Sequence, residues 1–117
     1  MKILIVDDNQ DLAFLLKWML EDEGYEVRSA QNGTDGYSMY LLFNPDLVLT
    51  DIQMPEKNGL ELIKEIRRHN PEVRTIYMSG DVSRFGLPLR EEQEKYHAGV
   101  LEKPFSRSDL ISLVSRS

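Results

Sequence analysis

Five short apolar runs, each followed by a stretch of a different period, constrain this chain more than any other feature. Ile3-Leu4-Ile5-Val6 leads into Asp7-Asp8-Asn9, after which Leu12, Leu15, Leu16 and Met19 recur at helical spacing. That helix is expected to stop near Gly24, and Tyr25, Val27 and Ser29 then alternate with charged or polar neighbours, as in a strand with one wetter face. Asn32-Gly33 reads as a turn. Residues 34–43 read as a second helix ending before Asn44-Pro45, because proline disfavours helical geometry in the residue before it. Leu47-Val48-Leu49 is apolar without alternation, as in a strand covered on both faces, and it runs straight into Thr50-Asp51. A loop from Met54 to Gly59 precedes a third helix with Leu62, Ile63 and Ile66 on its apolar stripe, closed by Pro71. Val73 to Met78 is a fourth strand, and Ser79-Gly80-Asp81 the turn beyond it. Gly86 and Pro88 interrupt helical continuity, so a loop followed by a short helix over 89–96 is expected. Val100-Leu101 is a short fifth strand. Ser106 and Asp109 have capping-box spacing before a last helix carrying Leu110, Ile111 and Val114.

Strand followed by helix, five times over, implies parallel strands joined by long right-handed crossovers, with helices on both faces. The expected class is a doubly wound α/β domain. A chain of 117 residues suits one such domain, and 41% hydrophobic with 29% charged residues is ordinary globular composition. The net charge of -6 argues against a general nucleic-acid binder, which needs a basic face. Without cysteine there is neither a disulfide framework nor a thiolate zinc site, so a cytoplasmic location is expected. The apolar runs are far too short for a signal peptide or a membrane span.

In such sheets the ligand site lies beyond the carboxyl ends of the strands. That rule selects Asp7 and Asp8 after strand one, Asp51 ending strand three, Ser79 after strand four and Lys103 after strand five. Three clustered carboxylates repel one another unless a cation sits among them. Mg²⁺ suits the set best, since it takes oxygen ligands, few of them carboxylates, and completes its shell with water and phosphate oxygens. His69 and His97 lie outside the cluster in sequence, which argues against zinc or copper. A metal, an ammonium and a hydroxyl around a carboxylate nucleophile are a sufficient kit for phosphoryl transfer.

With these residues in this order, the sequence resembles the receiver domain of two-component response regulators over essentially its whole length. The marks are Asp7-Asp8, Asp51 followed by Met54-Pro55 and Gly59, Ser79-Gly80, and Lys103-Pro104-Phe105. The resemblance implies a flavodoxin-like five-stranded sheet in the order 2-1-3-4-5. It implies that Asp51 is the phosphoacceptor, that Mg²⁺ is held by Asp7, Asp8, Asp51 and the backbone carbonyl of Gln53, and that Ser79 and Lys103 contact the phosphoryl group. It also implies a cis peptide before Pro104 and, as donor, a sensor histidine kinase or phosphotransfer protein. A protein of this family catalyses only its own phosphorylation and dephosphorylation. A single receiver domain over 1–117, with no output domain, is expected.

Each mark alone has a plainer explanation. An acidic pair between strand and helix is commonly an N-cap, Asp51 and Ser79 suit turns, and a lone lysine is usually solvated. Trp18, Tyr37, Tyr40, Phe43 and Phe105 read as core or surface filler, and Glu91, Glu92 and Glu94 as a solvated helix face. Two other functions compete with the phosphoacceptor. One is an interaction module of the same fold that never carries phosphate. The other is an aspartyl-phosphate phosphatase of the dehalogenase type, whose Asp-x-Asp nucleophile motif Asp7-Asp8-Asn9 does not supply. Two features bear on signalling. The position three before the lysine, usually aromatic in the family, is Val100, so the signal is expected to run through the loop after Ser79 and Phe85. Gln53 and Asp81 are expected to flank the path of an attacking water and tune phosphoryl loss.

Overall fold

Alternating side chains along each strand feed two separate apolar layers, and that alternation sets the architecture. The structure, a computed structural model, describes residues 1–116. Five strands, β1 (Lys2–Val6), β2 (Glu26–Ala30), β3 (Leu47–Asp51), β4 (Arg74–Ser79) and β5 (Gly99–Glu102), form one parallel sheet in the order β2-β1-β3-β4-β5. The helices are α1 (Gln10–Asp22), α2 (Gly33–Phe43), α3 (Gly59–Arg67), α4 (Gly86–Tyr96) and α5 (Arg107–Arg116). The expected doubly wound class and strand order are therefore present.

Ile3, Ile5, Leu47, Leu49, Ile76 and Met78 point to one face, where Leu16 and Leu20 of α1 and Leu110 and Val114 of α5 cover them. Leu4, Val6, Val48 and Tyr77 point to the other, against Tyr40, Leu62, Ile63, Ile66 and Leu89 of α2, α3 and α4. Every residue of β3 is buried, as its unbroken apolar run requires of the central strand. No described helix is long and apolar enough to cross a membrane.

Three details depart from the sequence reading. Helix α4 begins at Gly86 rather than Leu89, directly after a 3₁₀ turn over Val82–Phe85. Pro88 is tolerated because it falls in the first turn, where its missing N–H has no intrahelical acceptor to lose. Gly86 has φ 34°, which only glycine adopts freely, and so joins the two helical pieces. Asn32-Gly33 is a helix start and not a free turn: the Asn32 side chain accepts from the Asp35 N–H at 2.8 Å. Finally, Leu15 lies on the open side of α1, and Ala13, Leu16 and Leu20 carry its buried face. The Ser106–Asp109 capping box is present in both directions, at 3.0 and 3.3 Å.

Candidate phosphoryl and metal site

Because all strand pairs are parallel, every strand delivers its carboxyl end to one edge. Asp7 follows β1 there and is fully buried. Its Oδ1 accepts the Asn9 N–H at 2.9 Å, and its own N–H is tied to the Ala30 carbonyl at 3.1 Å, so both backbone and carboxylate are fixed. Asp8 is exposed beside it. Asp51 ends β3 and is buried. One carboxylate oxygen from each of Asp7, Asp8 and Asp51 lies within 4.8 Å of the others. The Lys103 Nζ stands 3.4 Å from Asp7 Oδ2 and 3.5 Å from Asp51 Oδ1.

Burial pushes the Asp51 carboxyl up to about 6, with Asp7 and Asp8 adding repulsion and Lys103 partly offsetting them. Three carboxylates against one ammonium leave excess negative charge in a half-enclosed space. That donor set, all oxygen and mostly fixed, fits a hard divalent cation.

Two residues position Asp51 without carrying charge. Thr50 Oγ1 donates to the Asp51 carbonyl at 2.9 Å. The Gly59 backbone packs so tightly on that carbonyl that a Cβ would sit 2.3 Å from its oxygen, and the Gly59 N–H donates to the Ile52 carbonyl at 2.8 Å. Sequence reasoning noted Gly59 without a task for it and missed Thr50. A glycine eight residues after a strand-end aspartate was the available signal.

Ser79, buried at the end of β4, accepts the Asp81 N–H at 3.0 Å on its Oγ, and its carbonyl accepts the Lys103 N–H at 2.7 Å. The Lys103–Pro104 peptide is cis. Gln53 and Asp81 are both exposed at the rim, and the Asp81 carboxylate is held by the Ser83 hydroxyl at 2.8 Å. Val100 is half-buried and pairs in register with Tyr77 of β4. The large ring on this side of the sheet thus belongs to β4. Tyr77 is buried, its hydroxyl donates to Glu92 Oε1 of α4 at 2.8 Å, and Arg67 of α3 pairs with the same oxygen. Glu92 is accordingly tied down rather than solvated.

Residues 3–115 match the family described as the response regulator receiver domain. The chain belongs to that family. This receiver domain is 32% identical over 115 residues to the DNA-binding transcriptional regulator NtrC of Azospirillum brasilense, covering 98% of this chain and 24% of that protein. It therefore spans about a quarter of that relative's length. Among solved structures, chemotaxis protein CheY4 of Vibrio cholerae superposes with a TM-score of 0.87 at 25% identity, covering 98% of this chain and 96% of that one. The receiver domain of NtrX from Brucella abortus gives 0.84 at 31% identity, covering 97% and 95%. The receiver domain is thus a component of a two-component system.

Proposed function

We propose that this receiver domain is a phosphorylation-dependent switch that takes a phosphoryl group on Asp51 from the phosphohistidine of a sensor kinase or phosphotransfer protein. The observation that carries this is the convergence of three carboxylate oxygens within 4.8 Å, with the Lys103 ammonium 3.4–3.5 Å from two of them. In the transfer, an Asp51 oxygen bonds to phosphorus as the P–N bond breaks, and the imidazole nitrogen keeps the electron pair and takes up a proton from water. The carboxyl near 6 is mostly ionised at neutral pH and so competent to attack. Lys103 balances charge on the phosphoryl oxygens, and the Ser79 hydroxyl, at the end of the neighbouring strand β4, donates to one of them. Asp7, Asp8, Asp51 and the Gln53 backbone carbonyl would hold Mg²⁺, which when bound supplies counter-charge to the phosphoryl group. Gln53 and Asp81, at the rim, tune water access and hence loss of the group.

No turnover of a separate substrate is needed for this role, and residues 1–117 act as a receiver module in a cytoplasmic relay. DNA binding is described for the Azospirillum relative. The charge of -6 argues against direct DNA binding by residues 1–117. The test is incubation with a small acyl phosphate and Mg²⁺, followed by intact-mass measurement. Wild type gains one base-labile phosphoryl group and Asp51→Asn gains none. Labelling that persists in Asp51→Asn, or none in wild type, sinks the proposal.

A further inference from the structure

At the opposite edge of the sheet, where β4 and β5 begin and α3, α4 and α5 end, lies a groove of about 490 Å³. Arg74 and Ser79 are the first and last residues of β4, so the groove and the acidic edge stand about 16 Å apart. Four cationic side chains line it, Arg67, Arg74, Lys95 and Arg116, against one carboxylate, Glu72. In a chain of charge -6 this is a local reversal of sign.

Arg67 is already committed to Glu92. Among the described residues the other three form no ion pair. Arg74 reaches only the Met1 sulfur, at 3.9 Å, Lys95 stands 5.5 Å from the Tyr96 ring centre, and Arg116 donates to the Ser112 carbonyl at 3.3 Å. A second, independent observation comes from Thr75, which also lines the groove. It is buried, and its hydroxyl has no hydrogen-bond partner among the described residues. A buried hydroxyl without a partner is uncommon.

A plainer account exists for part of this: helix C-termini favour nearby cations, which explains Lys95 and Arg116 one at a time. It does not explain Arg74, which opens a strand, nor the convergence of all these groups on one concavity beside an unsatisfied hydroxyl. We propose that the groove is a binding site for a multivalent phosphate anion, a di- or triphosphate group. Guanidinium forks match phosphate oxygens in pairs, and the volume exceeds what one tetrahedral anion fills while lying within the range of small-ligand sites. The site is independent of the chemistry at Asp51. Free polyphosphate and a nucleotide present the same group, and the experiment separates them.

Calorimetric titration of the whole chain with tripolyphosphate, ATP and sulfate, in chelator and low salt, tests the site. Tripolyphosphate and ATP are expected to bind at sub-millimolar concentration and at least about tenfold more tightly than sulfate. Equal affinities assign recognition to the phosphates alone, and tighter ATP binding assigns it to a nucleotide. The double variant Arg74→Gln/Arg116→Gln loses about tenfold or more, whereas the charge-matched Arg28→Gln/Arg90→Gln loses little. Lys95→Gln, followed by the rise in Tm that tripolyphosphate produces, supplies a second reading should the double variant not fold. Absence of binding, equal losses in both double variants, or tighter binding of a DNA duplex than of tripolyphosphate at equal phosphate concentration overturns the proposal. A lower Tm in the Arg74→Gln/Arg116→Gln variant with no anion binding in wild type leaves only the helix-end account.

Discussion

Holding Asp51 where its carboxyl titrates near 6 costs the cation-free fold stability. Between the ordinary value of 3.8 and about 6, the folded state keeps a proton that the unfolded chain has released, so stability falls as pH rises through that window and stays low above it. Asp51→Asn should therefore stabilise the metal-free protein at pH 7.5 by up to about 2–3 kcal/mol. Urea titrations at pH 7.5 and 5.5 check this: the gain shrinks at the lower pH. Equal gains at both pH values would remove the electrostatic cause. Gly59→Ala places a methyl 2.3 Å from the Asp51 carbonyl oxygen, a backbone atom that cannot move aside freely. It should cost at least about 2 kcal/mol and slow acyl phosphate labelling as well. The charged residues of the edge could be selected from sequence because a parallel sheet sends every strand's last residue to one place. Thr50 could not, since its bond to the Asp51 carbonyl is a backbone contact that no side-chain pattern encodes, and Gly59 was marked only by its spacing from Asp51.

Among the elements, α4 is where sequence pattern and structure part. Gly86 and Pro88 look like breakers, yet one falls at a junction and the other in a first turn, positions where each is tolerated. Its acidic face also conceals a partner, because the pairing of Glu92 with Tyr77 and Arg67 joins three elements and leaves no local period to read. Tyr77→Phe should lower stability by about 1–2 kcal/mol, measured as a urea midpoint at unchanged m, because a half-buried carboxylate loses one of its two donors. Phe85, half-buried in the turn before α4, packs on the same side as Tyr77 and Val100. If the loop beyond Ser79 carries the signal, Phe85→Ala should reduce the phosphorylation-dependent change in partner affinity more than Val100→Ala. An unchanged response in Phe85→Ala would redirect attention to β5.

Across the whole molecule, a cation held by the acidic edge would be linked to folding. Mg²⁺ at a hundredfold excess over its dissociation constant should add about 2.7 kcal/mol, raising Tm by about 10 °C in wild type and much less in Asp7→Asn/Asp8→Asn. A scanning-calorimetry series in Mg²⁺ decides it, and an equal rise in the variant would place the ion elsewhere. Fold class was legible because five alternations of period admit few topologies, whereas the strand order came from the family resemblance carried by the strand-end residues. The basic groove at the far edge was not legible, because its residues come from four separated segments and carry no motif.

The contact at Gly59 has a mechanical meaning. Helix α3 is welded to the Asp51 backbone, closed by a two-way cap between Asn58 and Glu61, and buries Leu62, Ile63 and Ile66. Helix α4 has no side-chain cap and buries Leu89 alone. The sheet is thus clamped stiffly on one side of Asp51 and loosely on the other, so a push at the strand ends finds its compliance in α4. Amide exchange in α4 should run at least about tenfold faster than in α3, and addition of a phosphate mimic should change protection in α4 while leaving α3 as it was.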